Sequence, residues 1–177
     1  MEIVRLQKEH CEILAELEKL CFSHPWSQRA IEDEVHNSNA YFVTAVDGDK
    51  ILGYGGMHCT HQECYVDNIA VFGHHRKKGV GTAIVLALVH EAQRRGAEYI
   101  SLEVRPSNRP AVGLYTKLGF LEELNHKRPK TIDEVEELWY NGMGGRYDHY
   151  DNSRYHALNL HSVFQKGTIE FRLFNST

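Results

Sequence analysis

The chain has 177 residues and a formal net charge of -4, with 42% hydrophobic and 10% aromatic residues. This composition is typical of a soluble globular protein and excludes a disordered, collagen-like or membrane-embedded chain. The acidic balance provides no bulk attraction to nucleic acid. The length suits one well-buried domain with an appendage, and the charged first residues predict no signal peptide and a cytoplasmic location.

The four cysteines predict no disulfide framework, because they are few and irregularly spaced in a chain long enough to build a core. We therefore expect reduced thiols at Cys11, Cys21, Cys59 and Cys64. The segment from His58 to Cys64 places soft ligands close together and allows two interpretations, a metal site or a polar hairpin between two strands. The hairpin is favoured because the segment has no CxxC pair, and we predict no metal.

The first half of the chain predicts one short strand, two helices and three further strands. The strand falls near residues 3–6, and the first helix is expected to bury Ile13, Leu14, Leu17 and Leu20. Ser27 is a good N-cap for the second helix, which ends before residues 37–39. Residues 41–46, 51–58 and 65–72 are rich in β-branched and aromatic residues and predict an antiparallel meander.

From Gly79 the apolar residues fall at helical spacing until Arg94, Arg95 and Gly96 end a long helix. A strand is predicted at residues 99–104, followed by a short helix that Asn108 caps and Gly119 stops. The order β-α-α-β-β-β-α-β-α predicts an α/β fold in which a mixed sheet carries helices on both faces.

Residues 121–177 differ in composition from the preceding chain. Their polar and glycine-rich stretches suggest a domain boundary near residues 121–130. We therefore assign residues 1–125 to one domain and residues 126–177 to a C-terminal appendage. Within the appendage, residues 131–139 predict a helix that begins with a capping box. Residues 168–174 alternate apolar and polar side chains and predict a strand, as part of a late hairpin.

The strongest local pattern lies between the third strand of the meander and the long helix. It consists of Arg76, Lys77, Lys78, Gly79, Val80, Gly81 and Thr82. Two glycines let a backbone pass close to a bulky anion, while the helix start supplies unpaired N–H groups and the positive end of its dipole. The pattern therefore predicts a binding loop for a pyrophosphate. The alternative is a basic helix start that binds no ligand, because it can have the same residues.

Two longer stretches, IAVFGHHRKKGVG and LEVRPSNRPAVGLYTKLGF, closely resemble the GNAT acetyltransferases, and within them the ribosomal-protein-alanine N-acetyltransferases of the RimI type. The resemblance covers nearly all of residues 1–120. It implies the GNAT fold and a cleft that binds acetyl-CoA where two central strands separate.

Carried over residue by residue, the resemblance implies that Ile69, Ala70 and Val71 line the acetyl and pantetheine arm. Residues 76–82 wrap the pyrophosphate, and Asn108 contacts the cofactor. Glu103 is the implied general base, and Tyr115 the implied acid that protonates the departing thiolate. Without this context, Glu103 is expected to be a solvated strand residue and Tyr115 a packed tyrosine.

The resemblance favours the N-terminal amine of a protein, most readily a ribosomal protein, as the acetyl acceptor. At pH 7, removing a proton from a lysine costs roughly 3 to 4 kcal/mol more than removing one from an α-amino group. A carboxylate acting directly or through one water is therefore adequate for an N-terminus. Two alternatives remain: a lysine or small-amine acetyltransferase, and a CoA-binding module that its altered C-terminus has inactivated.

From about Lys127 the chain resembles a piece of the amidoligase family instead, through the stretches KRPKTIDEVEELWYNG, NSRYHALNLHSVF and GTIEFRLFNST. Such ligases need a much larger domain to hold ATP and metal, so we assign no catalysis to this fragment. The GNAT sheet normally gains further strands after Phe120. We expect residues 168–174 to replace the final one, because an unpaired edge favours aggregation.

Overall fold

The computed structural model describes residues 1–60, 63–105, 107–118, 158–159 and 169–174. The backbone forms two compact units, Met1–Ile100 and Ser101–Thr177. Among the described residues, no helix combines the length and the apolar character needed to cross a bilayer.

Four antiparallel strands in chain order form the sheet of the first unit. They are β1 (Glu2–Arg5), β2 (Ala40–Asp47), β3 (Lys50–Cys59) and β4 (Glu63–Val71). Gly48 adopts a left-handed φ of 58° in the turn between β2 and β3, as the Asp-Gly pair there favours. The predicted short strand and meander are thus confirmed.

Helices cover both faces of this sheet. On one face, α1 (Cys11–Cys21) and α2 (Gln28–Val35) share a buried apolar cluster with Phe42 of β2 and Tyr54 of β3. On the other face lies α3 (Val80–Arg94), which packs so closely that a Cβ on Gly55 would stand 2.6 Å from the Cγ2 of Ile84. Successive strand residues point to opposite faces, so Tyr54 and Gly55 mark the two sides.

The predicted buried face of α1 is partly wrong. Ile13 is 45% exposed and Leu20 is 73% exposed. The buried residues are Cys11, Leu14, Ala15, Leu17 and Glu18. Two overlapping sets at helical spacing share Leu14 and Leu17, and the position of the sheet selects the set that includes Glu18.

Local signals set the ends of α2 and α3 as predicted. The Ser27 hydroxyl accepts a hydrogen bond from the Ala30 N–H at 3.1 Å and caps α2. Gly79 precedes α3 with φ 86°, and Gly96 follows it with φ 72°. Both φ values favour glycine, which has no Cβ to clash in the left-handed region.

The predicted hairpin between β3 and β4 is confirmed, but the prediction of four reduced thiols is wrong. Cys59 and Cys64 lie opposite each other in the ladder, with their Cα atoms 4.0 Å apart, and a disulfide joins them. Thr60 N–H bonds to the Glu63 carbonyl, so Cys59 and Cys64 form the next, non-hydrogen-bonded pair, where side chains lie closest. Strand register therefore brought the sulfurs together, and Cys11 and Cys21 stay free.

β5 (Tyr99–Val104) spans the boundary between the two units. The described elements after it are α4 (Arg109–Lys117), β6 (Leu158–Asn159) and β7 (Ile169–Phe174). β6 pairs antiparallel with β7, and β7 stands between β5 and β6 in the strand order. The predicted late strand and hairpin are thus confirmed, whereas the predicted helix at residues 131–139 and the stop at Gly119 lie outside the described residues.

Candidate active site

The segment that joins β4 to α3 folds back on the end of β4. A short 3-10 turn, Gly73–His75, follows the strand, and the Arg76 Nε–H donates to the Val71 carbonyl at 2.9 Å. Lys77 then takes a left-handed φ of 59°, which a non-glycine residue adopts only at a cost in energy. This geometry holds the basic residues 76–78 at the surface, directly before the start of α3.

The start of α3 has the features of an anion site. The first intrahelical hydrogen bond runs from Ala83 N–H to the Gly79 carbonyl at 3.0 Å. The N–H groups of Val80, Gly81 and Thr82 therefore precede the helical ladder, and the first turn carries no acidic side chain. A Cβ built on Gly79 would meet nothing within 4 Å, so the space in front of the helix is open. These residues fit a pyrophosphate, whose charge the helix dipole favours.

The last residues of β4 present their backbone in two directions. Phe72 N–H bonds to the Leu52 carbonyl of β3 at 3.0 Å, so the backbone of Phe72 faces β3. Because successive residues alternate, the N–H and C=O groups of Ile69 and Val71 point away from β3. The Ala70 side chain belongs instead to the buried cluster under α1 and α2. Ile69 and Val71 thus direct their backbone groups away from β3, and the Val71 carbonyl accepts the hydrogen bond from Arg76.

A buried carboxylate links α1, β3 and β4. Glu18 has no exposed surface, and its Oε1 accepts a hydrogen bond of 2.5 Å from the Tyr54 hydroxyl. Asn68 Nδ2 donates to both carboxylate oxygens at 3.1 and 3.2 Å. The Trp26 backbone N–H donates to Oε2 at 2.8 Å. Burial first, and then the hydrogen bond to Glu18, raise the pKa of Tyr54 and keep its hydroxyl protonated.

A second polar cluster surrounds His58 of β3. Its Nδ1 lies 2.7 Å from Asp67 Oδ2, and its Nε2 lies 3.0 Å from Glu34 Oε2 in α2. Burial by itself would lower the pKa of His58, but the adjacent carboxylates of Asp67 and Glu34 outweigh burial and raise it. Asp67 is an extra residue in β4, because Gly56 pairs with Asn68 and Met57 pairs with Val66. This bulge re-aims the Asp67 side chain.

The proposed acid and base lie in elements of the second unit. Glu103 is a half-buried residue of β5, and Tyr115 is a buried residue of α4 with 6% of its surface exposed. Burial raises the pKa of Tyr115 to about 12, so the hydroxyl keeps its proton at neutral pH. The Asn108 Oδ1 accepts a hydrogen bond from Ala111 N–H at 3.4 Å and caps α4, as predicted.

Glu18, Tyr54 and Asn68 were not predicted from the sequence. The signal that could have found them is the position of Glu18, which follows Leu14 by four residues and Cys11 by seven and so shares their buried face. A carboxylate on an apolar face requires several donors, since an unpaired buried charge is strongly destabilising. Asn68, directly before the predicted arm-binding residues, is one of those donors.

Comparisons with known proteins agree with this geometry. The chain matches the Acetyltransferase (GNAT) family over residues 11–120 and the family described as "Putative amidoligase enzyme" over residues 87–177. The second match starts earlier than the resemblance at Lys127 suggested.

Two relatives carry names that specify an acceptor. The Escherichia coli [ribosomal protein bS18]-alanine N-acetyltransferase is 30% identical over 106 residues, which cover 60% of this chain and 71% of that protein. The Bacillus subtilis protein named "Putative [ribosomal protein bS18]-alanine N-acetyltransferase" is 29% identical over 115 residues, covering 64% and 76%.

Solved structures confirm the predicted fold class. The E. coli S18-alanine enzyme superposes with a TM-score of 0.60 at 25% identity, covering 67% of this chain and 76% of that one. The Thermoplasma acidophilum paia N-acetyltransferase, solved with coenzyme A, gives a TM-score of 0.60 at 17% identity, covering 66% and 87%. The latter likeness concerns the fold alone. Taken with the pyrophosphate-fitting start of α3, these matches show that the chain belongs to the Acetyltransferase (GNAT) family and is an acetyl-CoA-dependent N-acetyltransferase.

Proposed function

We propose that this enzyme transfers acetyl from acetyl-CoA to the N-terminal amine of a protein, with a ribosomal protein as the acceptor. The observation that carries the proposal is the similarity at 30% identity to an enzyme named for the N-terminal alanine of ribosomal protein bS18. The cytoplasm, where such an acceptor is made, is the predicted location. The N-acetyltransferase domain of residues 1–125 is proposed to act without catalysis from residues 126–177.

The residues at the start of α3 suit the diphosphate of the cofactor. The N–H groups of Val80, Gly81 and Thr82 point along the helix axis, and Arg76, Lys77 and Lys78 add positive charge around them. On the side of β4 that faces away from β3, the Ile69 backbone and the Val71 N–H are proposed to bind the amides of the pantetheine arm, while the Val71 carbonyl holds Arg76. Asn108 is proposed to contact the cofactor beside its role as a helix cap. Acetyl-CoA supplies the acetyl group as an activated thioester.

Two side chains are proposed to move protons. Glu103 takes a proton from the acceptor amine, directly or through one water, and the low pKa of an α-amino group makes one carboxylate sufficient. Tyr115 gives a proton to the leaving sulfur, and its raised pKa keeps that proton in place until it is needed. Between these two proton transfers the amine nitrogen attacks the thioester carbon directly and the C–S bond breaks, so no cysteine nucleophile is required.

An acceptor panel tests the proposal. Labelled acetyl-CoA is incubated with a peptide carrying the bS18 N-terminal sequence, with the same peptide blocked at its N-terminus, and with small amines. We expect label on the free-amine peptide only, and the blocked peptide controls for its lysines. Label on the blocked peptide at an equal rate identifies a lysine acetyltransferase instead. Binding of CoA without transfer to any amine identifies a CoA-binding module.

A further inference from the structure

The Glu18 carboxylate determines which way the Asn68 amide points. An ionised carboxylate only accepts hydrogen bonds, and Asn68 lies within 3.1 and 3.2 Å of its two oxygens. The Trp26 N–H lies 2.8 Å from Glu18 Oε2 and can only donate, so it occupies one lone pair of that oxygen. The amide nitrogen of Asn68 must therefore face Glu18, and its carbonyl Oδ1 must face away.

Nothing in the described part of the chain uses the Asn68 Oδ1. Its Nδ2 donates to both oxygens of Glu18 and also interacts with the Tyr54 hydroxyl, and the residue is half-buried rather than enclosed. An amide oxygen has two lone pairs and suits an N–H donor. The side chain thus has its donor end fixed inside the protein and its acceptor end unused.

The place of Asn68 in the fold connects this oxygen with acetyl transfer. Asn68 directly precedes Ile69 in β4, on the face of the sheet that α1 and the Trp26 segment cover. The Trp26 ring packs 5.7 Å from Phe42, so this segment is held by its side chain as well as by its backbone. An acceptor that reaches the end of the pantetheine arm at β4 from this face passes Asn68.

The charge of Glu18 adds to the suitability of the position. Glu18 has no exposed surface, and in the described ranges no Lys, Arg or His forms an ion pair with it. Its negative charge is therefore balanced by dipoles alone. A buried negative charge behind Asn68 favours an amine or ammonium group in front of it, because attraction is strong where water is excluded.

We propose that the Asn68 Oδ1 accepts a hydrogen bond from the acceptor amine, and that Glu18 is the positioning residue that holds the amide in that orientation. The inference rests on the proposed function, because it requires an amine acceptor. A hydrogen bond from one N–H fixes the direction of the nitrogen lone pair, which must point at the thioester carbon for attack.

Three variants separate this role from a purely structural one. Asn68→Ala removes the oxygen. In Glu18→Gln the new amide oxygen must face the Trp26 N–H, so its NH2 takes the place of Oε1, where it opposes the Asn68 NH2 and no longer holds it by accepting a hydrogen bond. Ile31→Val is the control for stability, because Ile31 is fully buried in the apolar cluster beneath α1 and α2 and its side chain forms no hydrogen bond.

The experiment measures KM for the acceptor that the wild type acetylates in the panel, kcat, the Kd of CoA by calorimetry, and Tm. We expect Asn68→Ala and Glu18→Gln to raise the acceptor KM about tenfold, as for the loss of one hydrogen bond to a charged group. Their CoA Kd should stay within about twofold of the wild-type value. Ile31→Val should lower Tm and leave the acceptor KM unchanged.

Several results overturn the inference. An acceptor KM that stays at the wild-type value in Asn68→Ala shows that the oxygen binds no amine. An acceptor KM that stays at the wild-type value in Glu18→Gln shows that Glu18 does not position the amide. A CoA Kd that rises as much as KM shows that the network shapes the cofactor site instead. An equal rise of KM in Ile31→Val shows a structural effect. If the wild type acetylates no amine, the proposed function itself is refuted. If the wild type is active and the variants keep its acceptor KM, only the inference about Asn68 is refuted.

Discussion

A methyl group on Gly79 tests whether the start of α3 binds the pyrophosphate. Gly79 and Gly96 stand at opposite ends of α3, with φ values of 86° and 72°. A Cβ on either residue would meet no atom within 4 Å. In the protein without CoA, alanine at each position therefore differs from glycine only by backbone strain. This strain costs roughly 1 to 2 kcal/mol in the left-handed region.

This pairing makes Gly96→Ala a matched control for Gly79→Ala. Both variants should lower Tm by a similar amount, roughly 2 to 8 °C for a chain of this size. Only at Gly79 does the methyl group enter the open space before the helix N–H groups. We expect at least about a tenfold weaker affinity for CoA there, a loss of about 1.4 kcal/mol.

Calorimetry and thermal melts in the presence of CoA provide the measurement. At 100 times Kd, CoA stabilises the wild type by about 2.7 kcal/mol, and a tenfold weaker variant retains about 1.4 kcal/mol at the same concentration. Gly96→Ala should retain the full stabilisation. If Gly79→Ala binds CoA as tightly as Gly96→Ala does, the pyrophosphate lies elsewhere and the interpretation of this helix start is wrong.

Three further predictions concern the core, acid stability and proton transfer. Gly56→Ala should lower the free energy of unfolding by about 1 to 3 kcal/mol in urea titrations, because its Cβ would lie 2.1 Å from the fully buried Phe42 ring; an unchanged midpoint contradicts this packing. Arg94, and then Arg95, lower the pKa of Glu91 to about 2, so its contribution is present above pH 4.5 and is lost as the pH falls towards 2. Unfolding at a series of pH values should show a loss of about 2 to 3 kcal/mol in the wild type, and an equally large loss in Glu91→Gln would contradict the assignment. Tyr115→Phe should keep CoA affinity and lower kcat, whereas Glu103→Gln should lower kcat most at acidic pH; wild-type rates in both variants at every pH would assign proton transfer to other groups.

Local chemistry explains why much of the fold was predictable. Ser27 and Asn108 cap helices because a short polar side chain reaches the N–H groups of the first turn. Gly79 and Gly96 bound α3 because only glycine enters the left-handed region without strain. These signals depend on neighbours within a few residues, and the strands and helices they delimit formed where expected.

The buried face of α1 was less predictable, because amphipathic spacing left two overlapping faces. The sequence predicted that Ile13 and Leu20 are buried, yet the sheet lies against Leu14 and Glu18. The hydrogen-bond donors to Glu18 come from residues 8, 36 and 50 positions away. No window of neighbouring residues contains those donors. The same limit applies to the candidate site, where Asn68 acquires its orientation from Glu18.

By itself the sequence determined the family and the order of the elements up to α4, and it predicted the pyrophosphate site at the start of α3, since all three depend on residues close together in the chain. The tertiary structure decided strand register. Register placed Cys59 opposite Cys64 and so paired two thiols that were expected to be reduced. It also inserted Asp67 as a bulge and placed Asn68 against Glu18, because a side chain's partner in a sheet is set by pairing between distant segments.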